Sequence, residues 1–192
     1  MRSTTLTWVM PGALVAVLVA TSVAAQTARG PGDPWFGRAA KLSTQPVKSQ
    51  DGLQLEWPKK DWMLLPTAGS ASLVVAAKKG DALVVVERSA LNQALEPADI
   101  TDLFAQLEGD VIKERQPSAA ELQSKVIDGE SHRLVAVQYS RQGMTGPERV
   151  RQYSVPVGKQ LYRLICVSTA ARFATYEPVF AHMAATFVAT PQ

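Results

Sequence analysis

The chain has 192 residues, 46% of them hydrophobic, with 20 Lys+Arg against 17 Asp+Glu and a single cysteine. One cysteine excludes an internal disulfide, a cysteine-based zinc site and CxxC redox chemistry. The formal net charge of +3 comes without a stripe of Lys and Arg, so the composition points to no nucleic-acid partner.

Residues 1–25 read as a secretory signal peptide. Met1-Arg2-Ser3 is a short positive start, residues 6–23 are largely apolar, and Val23 and Ala25 take the −3 and −1 positions before Gln26. The competing reading is an uncleaved anchor, because the run is long enough to span a bilayer. Against it stand Pro11 and Gly12, the small residues at its end and the lack of a basic stop-transfer cluster. The expectation is an exported chain, periplasmic or secreted, with no stable membrane anchor after cleavage. What remains has the length of one domain with its own core.

Residues 26–50 hold Gly30, Pro31, Gly32, Pro34 and Pro46 and read as a linker or loosely packed N-terminal segment, interrupted by Trp35-Phe36, a pair placed to dock. Residues 51–190 are expected to form a single domain. Residues 53–57 alternate as a half-buried strand does, and Pro58 ends them. Two unbroken apolar runs, 72–77 and 82–86, flank Lys78-Lys79-Gly80-Asp81 and predict a hairpin whose strands are covered on both faces. A helix follows from Pro97, with Asp99 and Asp102 in its first turn. Its expected buried stripe is Ile100, Leu103, Phe104, Leu107 and Val111, with Glu108 on the outward face, and Pro117 stops it. Three strands come next, at about 133–140, 149–157 and 161–168, joined by 142–147 and by a Gly158-Lys159 turn of type II′. Phe173, Tyr176, Val179, Phe180, Met183 and Phe187 predict a terminal amphipathic helix with Pro178 at its start. Hairpin connections and two amphipathic helices give an α+β fold, a mainly antiparallel sheet flanked by helices in layers.

Leu55-Glu56-Trp57-Pro58 followed by Trp62 resembles the opening strand, proline and tryptophan of PsbP-like domains. Residues 160–164, then Phe173, Tyr176, Pro178, Phe180 and Thr186-Phe187, resemble their closing strand and helix. The resemblance spans about residues 50–188 and rests on packing residues. It implies an antiparallel sheet between helices, and it carries no catalytic residues and no photosynthetic role.

The residues themselves show no catalytic constellation. His132 and His182 have no GxSxG or comparable nucleophile turn to serve, and they read as surface or packing histidines. Asp99, Asp102, Glu108 and Asp110 form no calcium loop, Gly143 and Gly146 no phosphate loop, and Cys166 sits in an apolar strand as free cysteines commonly do. The expectation is therefore no catalytic residue, no cofactor and no metal.

The remaining feature is the arginine density of the late strands: Arg133, Arg141, Arg149, Arg151 and Arg163. Charges on strands ordinarily mark a solvated face. Counting outward from the 142–147 loop sets Arg141 opposite Glu148, Ser140 opposite Arg149 and Gln138 opposite Arg151. The last four then share one face as a candidate contact patch: Gln138, Ser140, Arg149 and Arg151. The count also places Arg151 beside Cys166 and expects Tyr153, Tyr162 and Leu164 as a partly exposed strip along the patch. The leading functional expectation is an exported, non-enzymatic binding or assembly-accessory module with an envelope or secreted protein partner. The alternative is a small anionic-ligand binder that uses the meander arginines.

Overall fold

The computed structural model describes residues 28–29, 33–39, 41–49, 52–67, 69, 71–129 and 132–190. The apolar N-terminal run and its expected cleavage site lie outside them. The strands are β1 (Ala28–Arg29), β2 (Thr44–Lys48), β3 (Gln54–Pro58), β4 (Trp62–Leu65), β5 (Ala71–Ala77), β6 (Ala82–Ala90), β7 (Ala120–Asp128), β8 (Arg133–Gly143), β9 (Gly146–Val157) and β10 (Gln160–Thr169). The helices are α1 (Asp102–Arg115), between β6 and β7, and α2 (Phe173–Ala185), after β10.

Eight strands make one sheet in the order β1-β7-β8-β9-β10-β6-β5-β4, antiparallel throughout except for β1 beside β7. Two meanders, β4-β5-β6 and β7-β8-β9-β10, meet along β6 and β10. The β9–β10 turn has Gly158 at φ 58° and Lys159 outside the positive-φ region, as a type II′ turn requires. β2 and β3 pair as a separate ribbon that packs on α2. The architecture is α+β, a mostly antiparallel sheet with a helix on each face.

The alternation of each strand sorts side chains between two cores. On the α2 side, Val75, Val84, Leu134, Ala136, Tyr153, Tyr162 and Leu164 are buried with Phe180, Met183 and Phe187. On the α1 side, Val126, Val135, Val137, Tyr139 and Val150 meet Ala105 and Ile112. β5 and β6 are thus buried on the α2 side, whereas Val74, Ala76, Leu83 and Val85, pointing the other way, are only half-buried. This corrects the expectation of full cover on both faces: α1 packs on β7 and β8.

The helix beginning at Pro97 is also corrected. Pro97–Asp99 is a 3-10 turn in which Glu96 and Asp99 cap each other, and α1 starts afresh at Asp102. The break after Ile100 resets the helical phase. Ala105, Glu108, Gly109 and Ile112 are buried, while Leu103 and Leu107 are 65% and 53% exposed. Small residues let α1 lie close: a Cβ on Gly109 would stand 3.1 Å from the Leu122 side chain. Pro178 lies inside α2, not at its start. Ala174, whose carbonyl loses its helical donor there, is exposed, so water can replace that donor.

Candidate functional site

The hairpin of β8 and β9 has the register counted from its loop: Arg141 faces Glu148, Ser140 faces Arg149, Gln138 faces Arg151, and Arg151 stands beside Cys166. The four candidate residues therefore share one face of the sheet, but burial divides them. Ser140 and Arg149 are half-buried near the loop, where the Ser140 hydroxyl donates to Glu121 at 2.8 Å and Arg149 Nη2 reaches the same carboxylate at 3.5 Å. Gln138 is 8% exposed and Arg151 is 0% exposed, so a direct contact role is closed to Arg151 in this conformation.

Arg151 is enclosed because the N-terminal lead-in folds over it. Its Nε donates to Gln138 Oε1 at 3.0 Å, its Nη1 to the Pro34 carbonyl at 3.3 Å and its Nη2 to Gln138 and to Glu177 of α2. Its guanidinium carbon lies 4.6 Å from the Trp35 ring centre and 5.3 Å from that of Phe173. Lys125 Nζ also stands 4.6 Å from the Trp35 ring and is gripped by both Asp33 oxygens at 2.6 Å. Tyr153 donates to the Trp35 carbonyl at 2.6 Å. The expected exposed strip is corrected as well: Tyr153, Tyr162 and Leu164 are each 0% exposed, because β9 and β10 are central strands roofed by α2.

A second polar cluster, which the sequence signals only weakly, fills the opposite face. Glu108 of α1, expected outward, is 4% exposed. It accepts from Arg163 Nη2 at 2.9 Å, from Gln152 at 3.1 Å and from Ser154, while Arg163 Nη1 donates to Ser89 at 3.1 Å. The available signal was that Gln152 and Ser154 share the α1-facing side with Val150, polar residues that need a buried partner.

The histidines and the cysteine stand apart. His182 Nδ1 accepts the Ala39 amide at 3.1 Å and its Nε2 lies 3.1 Å from Glu56. Glu56 is held below the usual carboxylate range, chiefly by the Thr44 hydroxyl and further by His182. Burial pushes the His132 imidazole down and the Cys166 thiol far up. Among the described residues no group of three His, Cys, Asp or Glu is placed to hold a metal ion, and no helix is long and apolar enough to cross a membrane.

No family model and no curated protein sequence matches the chain. Solved structures do. Cyanobacterial PsbP (CyanoP) from Synechocystis sp. PCC 6803 aligns with TM-score 0.57 and 15% identity over 81% of this chain and 99% of its own. LpqN of Mycobacterium tuberculosis, a protein involved in cell envelope biogenesis, aligns with TM-score 0.57 and 18% identity over 79% and 92%. A Bacteroides thetaiotaomicron protein follows at TM-score 0.51 and 9% identity, over 79% of this chain and 50% of its own. The fold is PsbP-like.

Proposed function

We propose that the chain is exported and works without catalysis, by binding a partner protein or supporting assembly at the cell envelope. One observation carries the reading: each meander arginine is matched by an internal carboxylate. The pairs are Arg133 with Asp128, Arg141 with Glu148, Arg149 with Glu121, Arg151 with Glu177 and Arg163 with Glu108. Arginines already engaged in this way are not offered to an outside anion, which favours recognition by a surface elsewhere on the domain. The fold shared with LpqN, named for cell envelope biogenesis, supports an envelope setting.

In the native host the protein is expected in the envelope or secreted fraction, beginning at or near Gln26 and migrating in a complex larger than one chain. His132→Ala, His182→Ala and Cys166→Ser variants should each restore function to a deletion strain. A lone monomer, or a stably folded variant among these three that abolishes function, overturns the reading.

A second reading, capture of a small anion, is favoured by one cavity of about 380 Å³ beside the 3-10 turn. Its polar wall is His132 and Arg133 with Glu96 among Leu95, Pro97, Pro156 and Val188, and the buried His132 Nε2 has no hydrogen-bond partner. Neither Arg149 nor Arg151 lines it. A thermal-shift screen with small carboxylates and phosphates decides, since ligand at 100 times its Kd adds about 2.7 kcal/mol.

A further inference from the structure

Among the described residues, half of one sheet face has no helix over it, and we propose that it seats an amphipathic helix of the partner protein, acidic at the end that meets a lysine cluster. This rests on the binding reading and adds the surface and the chemistry of the partner.

The floor follows from register. Leu65, Val74, Val85 and Ile165 are successive cross-strand neighbours from β4 to β10. Met63, Ala76 and Leu83 form the adjacent row, which runs into the half of the face that α1 covers at Val167 and Val150. Both rows are aliphatic, and Met63 and Leu65 are 43% and 38% exposed. Four strands span about 14 Å at their usual spacing, close to the 10–12 Å diameter of one helix with its side chains.

The wall is α1. Val111, Ile112 and Arg115 of α1 bound a cleft of about 160 Å³ that Ile165, Glu87 and Arg163 also line. Leu107, one turn before Val111 on the same flank, extends this rim, which gives its exposure a use. The floor thus lies a helix diameter below the outer surface of α1. A bilayer resting on α1 would not reach it, whereas a helix laid beside α1 would fill it.

Charge fixes the occupant. Lys59 and Lys60 enter β4, Lys78 and Lys79 turn between β5 and β6, and the Lys78 amide donates to the Asp61 carbonyl, joining the two turns at one end of the floor. All four lysines are exposed. Of the nearby acids, Asp81 is engaged by Arg172 and Tyr176, which leaves Asp61 against four positive charges. Acidic residues on the incoming helix complement this end. A second copy packed floor to floor would bring one acid of the floor, Glu87, to these lysines.

The test is a benzophenone amino acid placed at Val74 in the native host, with Met144 on the β8–β9 turn as a second site and Met63 in reserve should the Val74 replacement fail to fold. The expected adduct at Val74 is a peptide of another protein with apolar residues at three- and four-residue spacing and Asp or Glu at one end. Its yield should fall at least fivefold when Lys59, Lys60, Lys78 and Lys79 are all replaced by Glu, with the melting temperature unchanged. An adduct with lipid, with this chain itself or with a peptide lacking that pattern overturns the proposal, as does a yield indifferent to the charge reversal. Adducts from Met144 but none from Val74 overturn this surface while leaving partner binding standing, and none from either site overturns both.

Discussion

Glu108 and Leu107 are neighbours in sequence with opposite fates, and the difference is measurable. Removing one partner of a buried pair strands the other charge, so Glu108→Ala should cost about 3–5 kcal/mol in urea unfolding. Leu107→Asp, on the exposed flank, should stay within about 0.5 kcal/mol. Equal losses would mean that α1 sits in a different phase. His132 gives a pH signature. Because burial lowers its pKa from the usual 6.5, the unfolded chain binds a proton between 6.5 and the lowered value that the folded chain refuses. Stability is therefore lost as pH falls through that window, and this group contributes no slope above it. His132→Gln should shrink the difference in urea midpoint between pH 7.5 and pH 5.5, and an unchanged difference would assign the slope elsewhere. Glu56 acts lower, since its stabilising share is present above 4.5 and fades only as pH drops through its depressed value.

At the scale of elements, the lead-in behaves as part of the domain. Asp33 binds Lys125 of β7, the Trp35 carbonyl accepts from Tyr153 of β9, the Gly37 amide donates to the Ala181 carbonyl of α2, and Gly129 lies against the Phe36 ring. Trp35→Ala should cost roughly 2–3 kcal/mol, below the 3–5 of a fully buried aromatic, and should speed proteolysis before residue 40. Intact protease resistance would show that the segment is dispensable. None of this docking was legible beyond the apolar pair Trp35-Phe36, because its partners lie some 117 residues away in sequence. The β8–β9 register was legible, since a hairpin loop fixes pairing by local counting. Burial of that same patch was not, since it depends on which distant segment lands there. β4 and β7 carry little local signal for a related reason. Trp62-Met63-Leu64-Leu65 has no alternation, and β7 turns polar residues outward toward the sheet margin. A stripe extended through Ile100 assumes one unbroken helix, and the break there gives α1 a different phase.

For the whole molecule, the central strands β9, β10 and β6 are held on both sides while β4 is held on one. In hydrogen exchange the amides of Val84, Tyr153 and Leu164 should open only with global unfolding, and those of β4 far sooner. Similar protection across the sheet would contradict a strand order that leaves β4 at the margin. The two meanders are local structures, each built from short turns, and one ladder unites them: Gln160 to Ser168 against Ala82 to Ala90. Those partners stand roughly 80 positions apart. Closing such a loop must precede the contacts that reward it, so the seam forms late compared with either hairpin. Until β10 arrives, β6 has an unpaired edge of nine residues rich in valine, a template for pairing with the wrong strand. A chain that emerges N-terminus first must add roughly 70 residues after β6 before its own partner begins to appear, so the hazard in making this protein lies in the wait for its last strand.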